Sequence, residues 1–184
     1  MTQAQELLCN KHKRIITKEI SNFGIAIIDA FVDQGHEELY GLRFAYTIGM
    51  FSSFGLPELV VFGKKPNEAN DILNFFYAYS KKYIAENTGD ASFALPVEDR
   101  TFYETFPSLI GGEKVFYTNL IDTNIVSSIC PYMSWFYINE PFSALQIVYP
   151  DAFGVWEWEK RCKNKSLVNP LSLPIIPPQL FEHQ

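Results

Sequence analysis

The sequence predicts one α+β domain, a mostly antiparallel β-sheet packed against two or three helices, followed by an extended proline-rich tail. Three observations lead there. Runs such as "FGIAIIDAFV", "RFAYTIGM", "ELVVFG" and "ALQIVYP" are short, apolar and rich in β-branched and aromatic residues, as strands are. Residues 3–20 and 67–87 carry apolar residues at helical spacing over several turns. Strands and helices come in blocks without strict βα alternation, which is the pattern of an α+β fold. At 184 residues the chain fits a single domain with a proper core, expected over residues 1–168, with the tail over 169–184.

The helix over 3–20 places Leu7, Leu8, Ile15, Ile16 and Ile20 near one face, and "SNFG" ends it. The nearly continuous apolar run at 23–32 reads as a buried strand, and "DQGHEELYG" as a polar loop. "RFAYTIGM" and "ELVVFG" follow as a strand–loop–strand. Pro66 stands where a first helical residue belongs, Glu68 lies in the first turn and Gly89 follows the end, so 67–87 is the clearest helix of the chain. Ala69, Ile72, Leu73, Phe76, Tyr83 and Ile84 mark its inner face. "SFALPV" and "KVFYTNLI" read as further strands, with Gly111 and Gly112 turning between them. Residues 125–138 have helical spacing interrupted by Pro131, which predicts either a kink or a helix starting at that proline. "ALQIVYP" is a strand, "DAFG" a turn and "VWEWE" a short extended piece. The tail "NPLSLPIIPPQLFEHQ" has four prolines, which exclude it from helix and from a central strand.

Hydrophobic residues at 47% and charged residues at 20% describe a globular chain rather than a disordered one. With 16 Phe, 10 Tyr and 3 Trp, the aromatic share supplies much core area and also suits an interaction surface. The net charge of −6 argues against nucleic acid, whose phosphates want clustered cations, and fits a basic partner protein. The one basic cluster, Lys11 to Arg14, reads as a solvated helix face. No run has the length of a transmembrane helix, and the N-terminus lacks the pattern of a secretory signal. Cys9, Cys130 and Cys162 are odd in number and widely spaced, without a CxxC pair, so a reduced, cytoplasmic protein is expected.

Motifs for metal, phosphate, nucleotide or serine-nucleophile chemistry are absent from the sequence. His12, His36 and His183 fall in a helix, a loop and the tail, so neither a metal site nor a cofactor is expected. Carboxylates are the remaining route. Glu58 opens a strand after Pro57, and Asp151 follows Pro150 at the end of another; facing each other across a cleft, they could serve as acid and base. Turn chemistry alone also accounts for Asp151, whose side chain at such a position caps its own backbone. Thr47 and Gln146 sit inside apolar strands. Facing inward, they need hydrogen-bond partners; facing outward on a half-exposed sheet, they need no explanation.

Taken together, "FAYTIGM", "FGLPELVVFG", the helix with Leu73 and Asn74, and the late "LQIVYPD" with Gly154 and Trp156 resemble the bacterial domain-of-unknown-function family 4262. The resemblance spans roughly residues 22–160 and includes Tyr46, Thr47, Gly49, Phe54, Gly55, Pro57, Glu58, Gly63, Gln146, Pro150 and Asp151. Met50, Tyr149 and Val155 depart from the family's usual Leu, Trp and Pro. The resemblance implies no reaction. It adds Tyr46 and Trp156 to Thr47, Glu58, Gln146 and Asp151 as residues of a candidate polar centre.

Two functions follow as expectations. One is a non-catalytic protein-binding domain of interaction or immunity type, engaging a protein partner or forming a homodimer, with no nucleic acid and no membrane. The other is a small-molecule-binding protein or hydrolase-like enzyme using the Glu58/Asp151 region. The discriminating feature is whether the polar centre lines an open pocket or closes into a network.

Overall fold

The computed structural model of the chain describes residues 3–31, 41–86, 117–120, 123–138, 140–149, 155 and 160–161. In chain order the elements are α1 (Gln3–Phe23), β1 (Ala26–Phe31), β2 (Arg43–Ile48), α2 (Met50–Phe54), β3 (Glu58–Phe62), α3 (Pro66–Glu86), β4 (Tyr117–Leu120), α4 (Thr123–Ile129), α5 (Pro131–Phe136) and β5 (Ala144–Val148). The expected strand over 92–97, the turn at Gly111 and Gly112, the piece after 154 apart from Val155, and the tail over 169–184 lie outside the described residues.

The five strands form one sheet in the order β1-β2-β3-β5-β4. The pairs β1–β2, β2–β3 and β4–β5 are antiparallel, and β3–β5 is parallel. A parallel pair cannot be joined by a tight turn, so the chain between β3 and β5 must cross over. It does so through α3, β4, α4 and α5.

Helices cover both faces of the sheet. On one face α3 lays Ala69, Ile72, Leu73 and Phe76 against Ala45, Leu59, Val61, Leu145 and Ile147. On the other, Ile16 of α1 packs with Val126, Ile129, Cys130 and Met133 from the α4–α5 region over Phe44, Tyr46, Ile48, Val60 and Phe62. This double cover explains why "ELVVF" shows no polar alternation: every residue of β3 is buried. The Phe44 ring stacks on both Tyr46 and Phe62 at centroid distances of 5.5 and 5.3 Å.

The helical stretch around Pro131 is two helices with a break at Cys130. Pro131 is the first residue of α5, and Cys130 lies outside helical geometry at φ −114°, ψ 74°. Proline disfavours helical geometry in the residue before it and has no N–H to extend α4. The Ser134 hydroxyl, donating to the Ser127 carbonyl at 2.7 Å, ties the two pieces.

Two local features differ from expectation. The loop between β2 and β3 contains the short helix α2. The five apolar residues assigned to one face of α1 divide between two. Ile16 is buried and Ile20 half-buried, but Leu7 is 74% exposed, Leu8 53% and Ile15 45%. Adjacent residues stand about 100° apart on a helix, and here Ile16 turns toward the sheet while Ile15 falls beyond the edge of the buried face. The inward side of α1 is fixed by His12, whose Nδ1 lies 2.8 Å from the Tyr132 hydroxyl, and by Lys13, which sits 5.1 Å over the Trp135 ring.

Candidate functional site

The candidate centre lies where β2 turns into α2. The backbone ladder between β2 and β3 runs as far as Tyr46 opposite Val60. Past that pair the Thr47 side chain takes over: its hydroxyl accepts the Leu59 N–H at 2.8 Å and donates to Glu58 Oε2 at 2.7 Å. The chain then bends at Gly49, whose φ of 104° is a left-handed conformation. A Cβ there would also stand 2.8 Å from the Gly24 carbonyl oxygen at the end of α1.

Gly49 is the N-cap of α2 and has no side chain to satisfy the helix's free N–H groups. Glu58 does this from the next strand. Its Oε1 accepts the Gly49 N–H at 2.9 Å and the Phe51 N–H at 3.0 Å, the service an N-cap Ser or Asp ordinarily gives. The Tyr137 hydroxyl, at the C-terminal end of α5, donates to the same oxygen. That hydroxyl in turn accepts the N–H of Gly49 at 3.2 Å and of Ser52 at 3.4 Å. Thr47, Gly49, Phe51 and Tyr137 thus give the carboxyl four donors, and both hydroxyls have their protons committed to it.

Glu58 is completely buried. Burial raises its pKa above the ordinary carboxylate value, and the hydrogen bonds from Thr47, Tyr137, Phe51 and Gly49 pull in the opposite direction without cancelling the rise. The Tyr137 phenol is also raised, by burial first and then by the adjoining Glu58 carboxyl.

The predicted site residues separate into three groups. Thr47 and Glu58 are joined directly. Gln146 is buried on β5 opposite Val60 in the parallel register, and the donors to Glu58 are other groups. Tyr46 belongs to the apolar layer beneath α5: its hydroxyl is buried without a hydrogen-bond partner of ordinary geometry, and burial pushes its pKa up. Asp151 and Trp156 lie outside the described residues. Tyr137 was not among the residues singled out from sequence. A tyrosine in an aromatic-rich helical stretch reads as core, and only the need of a buried phenol for a partner hints at more.

Neither of two surface cavities along α1 is lined by Thr47, Glu58 or Gln146. The first, of about 630 Å³, lies beside Lys13, Arg14, Thr17 and Trp135; the second runs along Leu7, Lys11 and Ile15. Among the described residues no group of three or more His, Cys, Asp or Glu is placed to hold a metal ion, and no helix is long and apolar enough to cross a membrane.

The family model for the domain of unknown function DUF4262 matches residues 19–163 of this chain, a span that contains β1 to β5 and every member of the Glu58 centre. No curated protein and no solved structure matches the chain.

Proposed function

We propose, from the premise that the chain belongs to the DUF4262 family, that it is a non-catalytic protein-binding domain. The closed state of the Glu58 centre carries this reading. A general acid or base must reach a substrate proton, and a ligand-binding carboxylate must offer a free lone pair. Glu58 is wholly buried, and its oxygens are occupied by Thr47, Gly49, Phe51 and Tyr137. Hydrolase-like chemistry at Glu58 and Asp151 would require that network to open. In this reading the centre is a clasp joining β2, α2, β3 and the end of α5, and the chain acts through its surface. Cys9 and Cys130 are free thiols, which suits work in the reducing cytoplasm.

The test is affinity purification of the full chain from its native cells, followed by native mass spectrometry. A stoichiometric protein partner, retained by a folded Thr47→Val variant, is the expected result. A co-purifying small molecule that disappears with Thr47→Val or Glu58→Gln would overturn the reading.

A further inference from the structure

We propose that the outward face of α1 is the docking surface of this domain, and that it receives a protein segment bearing an apolar stripe beside a row of carboxylates. This rests on the protein-binding reading and names the surface and partner chemistry that the reading leaves open.

The face is unusual for a helix packed on a sheet. Opposite Ile16 and Ile20, Leu7, Lys11, Arg14 and Lys18 form one row, and on the flank beside it residues seven apart align Leu8 with Ile15. Leu7, Leu8 and Ile15 are all exposed, at 74%, 53% and 45%. Single exposed apolar residues need no explanation, but three in adjoining rows on the side away from the core make a patch. Among the described residues the ion pair is Arg43 with Asp29, and Lys11, Arg14 and Lys18 have no carboxylate within ion-pair distance there. In a chain of net charge −6 this is an island of opposite sign. Overall charge suggests a basic partner, whereas this face suits an acidic one.

Charge complementarity selects among occupants. A second copy meeting the first through this face would bring Lys11, Arg14 and Lys18 against their like. An anionic bilayer would attract the cations, but three apolar side chains interleaved with them leave little to insert, and the rest of the chain is acidic. The chain's own residues 162–184 offer apolar side chains, yet they carry Lys163 and Lys165 against the single acid Glu182. A segment with Leu-like and Glu-like residues on adjoining rows satisfies both rows at once, the mode in which an amphipathic helix is recognised.

The experiment uses fluorescein-labelled synthetic helical peptides of about 18 residues. One carries Leu and Glu on adjoining rows, one carries Leu and Lys, and one carries Glu with Ser in place of Leu. Anisotropy titrations with the full chain at about 150 mM salt limit long-range attraction. The expected result is saturable binding of the Leu/Glu peptide, at least about tenfold tighter than of the other two. Two variants, Leu7→Ser with Ile15→Ser and Lys11→Glu with Lys18→Glu, should each weaken it by about tenfold or more while keeping the wild-type melting curve. Equal binding by both variants, preference for the Leu/Lys peptide, or no binding overturns the proposal. So does occupation of the face by vesicles of three parts phosphatidylcholine to one of phosphatidylglycerol, by a second copy in light scattering, or by a peptide of residues 166–184. A native protein partner indifferent to both variants would remove this face and keep the protein-binding reading. Recovery of no protein partner at all would remove the reading itself.

Discussion

Glu58 has donors aimed at both of its oxygens, from Thr47 on one side and from Gly49, Phe51 and Tyr137 on the other. Removing either hydroxyl leaves an N–H that donates to it without an acceptor. Tyr137→Phe takes the acceptor from the Ser52 N–H and a donor from Glu58, while the Gly49 N–H keeps Glu58 Oε1, and should lower the unfolding free energy by about 1–3 kcal/mol in urea titration. Thr47→Val does the same to the Leu59 N–H and should cost a similar amount; an unchanged midpoint for both would mean that the contacts contribute nothing. The proton on Glu58 gives a second test. Its folded pKa is raised above the ordinary 4.5, so the native state holds the proton more tightly than the unfolded chain. That contribution is complete below the unfolded value and is lost as pH rises through the folded one. The stability of the wild type minus that of Glu58→Gln should therefore shrink as pH rises above 4.5. A constant gap would contradict the raised pKa.

Among the elements, α2 depends most on a single residue. Gly49 combines a left-handed φ with a carbonyl oxygen 2.8 Å from any added Cβ, and that oxygen belongs to backbone that cannot swing aside. Gly49→Ala should cost about 1–3 kcal/mol from the backbone strain alone and should loosen the Glu58 contacts, visible as faster amide exchange at Phe51. On the other face, Phe76 of α3 is fully buried, and Phe76→Ala should cost about 3–5 kcal/mol; a loss under about 1 kcal/mol would place it outside the core. These elements were legible to different degrees. Pro66 and the period of Ile72, Leu73 and Phe76 announce α3, and the β-branched runs announce β1, β2, β3 and β5. Thr47 stands out as a polar residue inside an apolar strand, and Glu58 as a carboxylate that opens one after Pro57. Tyr137 does not, since its partner lies 79 residues away and nothing local encodes that meeting. The parallel pairing of β3 with β5 was hidden for the same reason. On α1, Ile15 next to Ile16 reads as one apolar face, but the rotation at which the helix docks buries Ile16 and leaves Ile15 exposed.

For the whole molecule, the sheet is covered by helices on both faces, and the proposed protein-binding role would act through the outer surfaces. The interior is committed: the Glu58 centre binds two layers together, and its polar groups are spent on each other. Under the proposed function, stability and partner binding are separable properties, the first held at Glu58 and the second on the surface. Glu58→Gln tests this most directly, because the amide keeps the shape of the carboxyl and presents an NH2 group to at least one donor that needs an acceptor. The measurement is the unfolding free energy of the variant in urea, set beside its capture of the native partner at a temperature where both proteins are folded. A loss of about 1–3 kcal/mol with capture unchanged is the predicted result. Wild-type stability with capture abolished would contradict it and make Glu58 part of the binding site.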